Sequence, residues 1–322
     1  MLVPTVALQI LAHKTPSNQH LAPHNLGGFA IGNDCPGNQV YTCTPYSGWR
    51  GVKVALDFRY GHGMIPEPLY KDIYEKCAGW WSDEPFPHGK DMFDAPPEPC
   101  AKLLEDPVRP CMSIAGDTYR MGGGYFLYDT CSEDMMALGD DHLPHPDEAA
   151  DRRRLQAPPT SPEFPMTSGE YACGQERATQ IYLNLPSVQE ALHVRLVNKT
   201  SFSFSTGLRY AKTWGSLLPE YKSTLIPNLR IMQYSGDADP CVPYVGTQRW
   251  IDSLELPAST PWHPWSGGPG SFISGYTTVY SGPGIGSNFT FTTIRDAGHM
   301  APRYKPSETL HMITNFLNKQ PM

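Results

Sequence analysis

The sequence predicts an α/β protein, strands and helices alternating around one sheet, and three observations carry that reading. Short apolar or β-branched runs, LRIMQYSG and NFTFTTIRD among them, are interleaved with amphipathic helical stretches. The runs Leu229–Tyr234 and Phe289–Arg295 end in polar turns, GDADPCVP and DAGHMAP, at the kind of position where open α/β sheets place reactive groups. At 322 residues, 40% of them apolar, the chain is long enough for a sizeable core.

Taken in order, LVPTVALQILAHK predicts a helix with Pro4 in its first turn. Leu2, Val6, Leu8, Ile10 and Leu11 form its apolar side, which suits a domain interior. The stretch lacks the basic leader and small-residue cleavage site of a signal peptide, so the chain is expected to begin partway through a fold. NLGGFAIGN (Asn25 to Asn33) reads as a short buried strand entering a turn, and HGMIPEPLYKDIYEKCAGWW as a helix from near Pro68 to Gly79. From Ser82 to Pro165 the chain turns irregular, rich in Pro, Asp and Cys, and Asp140 to Pro165 is expected to be a mobile surface loop. Arg152, Arg153 and Arg154 within it suit either a processing protease or a solvated charge cluster.

Order resumes with ATQIYLNLPSVQEALHV, a helical turn and a Pro-initiated helix whose apolar face is Val188, Leu192 and Val194. A longer helical pattern is expected from Gly207 to Leu217, then the strand of LRIMQYSGDADP and the helix of VPYVGTQRWIDSL. GYTTVYSG and NFTFTTIRD alternate as paired strands. PSETLHMITNFL closes the chain as a helix capped by Ser307, with Leu310, Ile313 and Phe316 as its buried stripe. The whole reads as one domain, 1–322, with a cap insertion over about 60–170.

Composition narrows the function. A net charge of −7 with no basic block argues against nucleic acid, and no apolar run is long enough to span a bilayer as a helix. Eight cysteines, at 35, 43, 77, 100, 111, 131, 173 and 241, are scattered without a CxxC pair. That disfavours zinc and favours disulfides in an oxidising compartment. The sequons at Asn198 and Asn288 point the same way, toward glycosylation in the secretory pathway.

The two polar turns supply an acid and a histidine at one rim of the sheet. A carboxylate bonded to imidazole fixes its tautomer and stabilises the imidazolium formed when it takes a proton. His299 is the candidate base. Asp237 and Asp239 are both candidates for the acid. The fourth residue of the G-x-x-D turn leaves the strand to face the rim, which favours Asp239, while Asp237 braces the turn through backbone N–H groups. Acid before histidine is also the chain order of the α/β hydrolases.

YSGDADPCVPYVGTQRWIDSL followed by TIRDAGHMAPRYKPSETLHMITNFL resembles the C-terminal third of the serine carboxypeptidases. NLGGFAIGND, GHGMIPEPLYKDIYEKC and ATQIYLNLPSVQEALHV agree, in family order, so the resemblance spans nearly the whole chain and weakens from Ser82 to Pro165. It implies an α/β-hydrolase fold with a variable helical cap, here without the N-terminal strands, and release of C-terminal residues from peptides or proteins. His299 would be the base, Asp239 its orienting acid, and Met300 a lining residue of the leaving-residue pocket, or a packing methionine. No cofactor or metal is implied, a vacuole, lysosome or secreted fluid is the expected place, and a homodimer is an open expectation. The family's nucleophile stands in G-E-S-Y-A-G just before a segment like VPTVALQIL, and this sequence begins past that point. TSGEYACG has similar letters in another order and place, so Ser168 is rejected as nucleophile. The chain as written is therefore expected to be inactive, with an acyltransferase or a non-catalytic binding protein as alternatives.

Overall fold

One mixed sheet organises the described residues: β1 (Gly28–Gly32), β2 (Arg230–Gly236), β3 (Ala258–Ser266), β4 (Ile273–Tyr280) and β5 (Phe289–Ile294), in the spatial order β1-β2-β5-β4-β3. The structure, a computed structural model, describes residues 2–12, 26–37, 49–78, 98–105, 125–128, 179, 181–194, 202, 215–268, 272–281 and 289–322. The chain divides into two units, 1–128 with 213–322, and 129–212.

The first unit holds the sheet. β1, β2 and β5 run parallel, and β4 and β3 extend the sheet antiparallel from β5. In the register of β2 with β5, Gly236 stands opposite Ile294, so both strands deliver their following turns at the same rim. β2 is buried on both faces along most of its length, as a central parallel strand should be, with Gln233 and Ser235 among its buried residues. β1, expected to be buried, is only half-buried, because within the described sheet it is a terminal strand with β2 as its one neighbour. β3 was not expected. Pro261 and Pro264 hide it from a strand reading, and they are tolerated because it lies at the other end of the sheet.

The helices of this unit are α1 (Leu2–Ala12), α2 (Trp49–Gly61), α3 (Glu67–Lys76) and α4 (Cys100–Glu105). Pro4, Ala7, Leu8 and Leu11 carry the inward side of α1, at the i, i+3, i+4, i+7 spacing. Leu2 and Val6, assigned to that side by sequence, lie on a different row and are exposed. Residues 82–165 are not irregular throughout, since α4 falls inside them, tied to the end of α3 by the Cys77–Cys100 disulfide. Its closed loop of 23 residues stabilises the fold by roughly 3 kcal/mol in the chain-entropy account. Val52, Leu56, Ile73 and Leu104 pack around this disulfide as one cluster.

A second cluster lies on the sheet. Its scaffold is α5, a helical run that passes from Leu218–Glu220 through a π-helical stretch, Tyr221–Leu225, to Ile226–Asn228. Tyr221, Leu225, Ile231, Trp250, Phe289 and Phe291 are its buried members. Tyr221 also donates its hydroxyl to the buried Asp34 at 2.5 Å, and Gln233 donates to that hydroxyl at 2.9 Å, so the chain leaving β1 is fastened to β2 and α5. The expected helix over Gly207 to Leu217 is not helical at 215–217, where Ser216 and Leu217 lead into α5; its earlier residues lie outside the described ones.

After β2 comes α6 (Tyr244–Asp252), and after β5 come α7 (Ala301–Tyr304) and α8 (Pro306–Asn318). Ser307 does not cap α8: Lys305 is its N-cap residue, with no side-chain bond. The buried row of α8 is Thr309 and Met312, one residue before the expected Leu310 and Ile313, and Leu310 is 68% exposed. In the second unit the described residues include α9 (Pro186–Ala191). There Gln189, not the expected Leu192 and Val194, is buried, because its side chain folds back to donate to the Leu183 carbonyl at 3.1 Å. The expected loop over 140–165, Arg152 to Arg154, Ser168, Asn198 and Asn288 lie outside the described residues.

Candidate active site

The turn after β2 and the turn after β5 meet at the rim. His299 Nδ1 lies 2.8 Å from Asp239 Oδ2. Asp239 is wholly buried, while 28% of the His299 side chain is exposed. A buried carboxylate needs donors on each oxygen, and the chain supplies them locally. Oδ1 of Asp239 accepts the N–H of Cys241 at 2.7 Å and of Val242 at 3.1 Å, the amides that lead into α6. Asp239 is thereby held by its own turn, and its second oxygen is left to the imidazole.

His299 is held by its backbone. Its N–H donates to the Tyr125 carbonyl at 2.6 Å, and its carbonyl accepts from Asn33 Nδ2 at 2.5 Å. The Tyr125 ring stands 5.1 Å from the imidazole. Sequence reasoning missed both supports. Asn33 carried a readable sign, a polar residue directly after an apolar strand in the left-handed conformation asparagine tolerates, at φ +51°. Tyr125 carried none, since it contributes a backbone carbonyl.

Asp237, the less favoured candidate for the acid, accepts the Asp296 N–H at 2.6 Å. Met300 follows His299, half-buried, and its carbonyl receives the N–H groups of Arg303 and Tyr304 at the start of α7. Cys241 lies close to the pair, with ligating atoms of Asp239, Cys241 and His299 all within 4.8 Å of one another. It is a free thiol whose pKa burial, and then the Asp239 charge, push up to about 12. A thiol so held is protonated near neutrality and is a poor nucleophile, so it does not stand in for a missing serine.

A base with one ring nitrogen on a buried carboxylate and the ring edge open to solvent can take a proton from an alcohol and return it to a leaving group.

Comparison with known proteins bears on what this pair serves. The family model described as serine carboxypeptidase matches residues 1–319. Serine carboxypeptidase-like 40 of Arabidopsis thaliana is 32% identical over 99% of this chain and 52% of its own length. Serine carboxypeptidase ctsa-4.1 of Caenorhabditis elegans is 26% identical over 99% of this chain and 61% of its own. The chain thus spans between half and two thirds of these relatives. The crystal structure of Kex1(delta)p, a prohormone-processing carboxypeptidase from Saccharomyces cerevisiae, aligns with 98% of this chain and 59% of that one, at a TM-score of 0.50 and 15% identity, a likeness of fold.

Proposed function

The chain belongs to the serine carboxypeptidase family, and from that premise we propose that it carries the base and orienting acid of a serine-type carboxypeptidase. His299 takes the proton of a serine as it attacks the last peptide bond of a peptide, then returns it to the departing amino acid. Asp239 holds the imidazole in the tautomer with its proton on Nδ1 and stabilises the cation formed midway. The observation that supports this is the 2.8 Å contact between His299 Nδ1 and Asp239 Oδ2, with Oδ1 already occupied by two amides. Met300 borders the pocket for the leaving residue, where a flexible thioether suits an apolar side chain.

The serine is not Ser168 in this reading, because the family's G-E-S-Y-A-G does not occur among these 322 residues, where no serine stands two residues after a glycine. The disulfides at Cys35 and between Cys77 and Cys100 suit a secretory compartment, vacuolar, lysosomal or extracellular, with Asn198 and Asn288 as glycan acceptors.

A fluorophosphonate probe, which marks activated serines covalently, tests the reading. The chain as written should not label, and a longer form bearing the family's serine should label and release C-terminal residues. Labelling of this chain that vanishes in Ser168→Ala would overturn the assignment.

A further inference from the structure

Asp237 stands two residues before Asp239, yet it serves the opposite turn. Its Oδ1 accepts the Asp296 N–H at 2.6 Å, and the neighbouring Ala297 N–H helps a little to lower its pKa. These amides open the turn that delivers His299. The main chains are laced in the reverse sense, with Asp237 N–H donating to the Ile294 carbonyl at 3.0 Å and Ala238 N–H to the Ala297 carbonyl at 2.9 Å.

The His299 turn needs such a hold. Asp296 has φ +55°, a left-handed conformation that costs a non-glycine residue free energy and persists only where surroundings enforce it. The two turns are also pressed backbone to backbone. A Cβ on Gly236 would stand 2.2 Å from the Ala297 carbonyl oxygen, and one on Gly298 would stand 2.2 Å from that of Tyr125. In so tight a junction the Asp296 amide must find its acceptor close by, and the Asp237 carboxylate is the group that reaches it.

We propose that Asp237 is a positioning residue for the base: by gripping the Asp296 amide it fixes where His299 meets Asp239. The inference rests on the proposed roles of His299 and Asp239 and adds a second carboxylate to them, one that touches no substrate.

Asp237 differs from Asp239 in having a route for protons. It lines an open cavity of about 500 Å³ beside His62, Tyr128 and Glu308. Burial raises its carboxyl to about 6; the Asp296 charge adds to the rise, and the two amides and His62 oppose it. Burial, and then the Asp237 charge, push up the hydroxyls of Tyr128 and, at the head of α6, Tyr244. On the cavity's far wall Lys305 is engaged by Asp296 at 3.1 Å, and Arg295 is exposed, so neither cation sits on the Asp237 carboxylate as an ion-pair partner. Ionised, Asp237 accepts the Asp296 amide strongly; protonated, it is the weaker acceptor and the His299 turn loosens. His299 should therefore sense a proton that is not its own.

Nuclear magnetic resonance on the chain as it stands reads this without substrate, by following the His299 imidazole Cε1–H signal through the acid range. Asp237 titrates beside it, so the wild-type curve should be broadened beyond that of a single proton. Asp237→Asn, which keeps the shape and one acceptor oxygen, should restore a one-proton curve and shift its midpoint. The Asp296 amide should then exchange about tenfold faster, the effect of weakening roughly one hydrogen bond. Asp237→Ala should do more, and if it fails to fold the asparagine variant still decides. A His299 curve identical in the wild type and Asp237→Asn overturns the proposal. Asp239→Asn in the same spectra separates the failures: a curve it leaves unmoved removes the pair itself, whereas a curve moved by Asp239→Asn and not by Asp237→Asn removes the positioning role alone.

Discussion

Two carboxylates in this chain gather their partners in opposite ways. Asp57 on α2 accepts the Tyr70 hydroxyl at 2.9 Å and the Tyr74 hydroxyl at 2.5 Å, and pairs with Arg249 of α6. All three partners are side chains from other elements. Asp239 is held instead by two amides of its own turn and offers its remaining oxygen to one imidazole. A carboxylate anchored by its own backbone can orient a second group without being held by it. One anchored by distant side chains is only as fixed as they are, and works as a strut among helices.

The comparison breaks most sharply at His299. In the serine-bearing form, His299→Ala should cut kcat by about six orders of magnitude, the scale found when a triad base is removed. Asp239→Asn should follow at about four, because an amide opposite Nδ1 favours the wrong tautomer. Neither change should lower the thermal midpoint much, His299 being partly exposed. Melting and steady-state kinetics on the same preparations check both, and a large stability loss in His299→Ala would make that histidine a packing group. Asp57→Asn should do the reverse. It removes a partly exposed ion pair and weakens two hydroxyl bonds, so urea unfolding should show a loss of about 2 kcal/mol while the His299 titration stays unchanged. A shifted His299 curve in that variant would erase the distinction between strut and anchor.

That contrast also explains what could be read beforehand. Asp239 and His299 were legible because each closes a strand of strong β character, and because the amides that fix Asp239 lie within three residues of it. Asp57 was not, since its partners lie 13, 17 and 192 residues away in sequence. Tyr125 was missed for the same reason, serving a histidine far along the chain through a backbone carbonyl that no residue type announces, and Asn33 because its side-chain amide reaches a carbonyl 266 residues away. β3 was hidden by prolines that only an edge position allows. The buried row of α8 was misplaced by one residue, about 100° of turn, because what the helix packs against, and not its apolar content alone, decides which row faces inward.

Asp237 gives the smallest expected effect and lies between the two cases, anchored by a backbone amide as Asp239 is by two, yet open to a cavity. Its folded pKa, about 6, stands above the ordinary 3.8, so the folded chain binds this proton more tightly than the unfolded chain does. Below 3.8 both states are protonated and the group contributes no difference. As pH rises from 3.8 to about 6 the unfolded state ionises first and stability falls, and above that range the full cost of an ionised, desolvated carboxylate is present. Asp237→Asn should flatten this slope and raise stability near neutrality by about 2 kcal/mol at most, read from denaturation midpoints on either side of the window. It should do so while loosening the turn that carries His299. If the variant instead loses the same stability at every pH, the carboxylate acts through its shape alone. Its charge would then be a group tolerated for the chemistry beside it only if the His299 curve still moves.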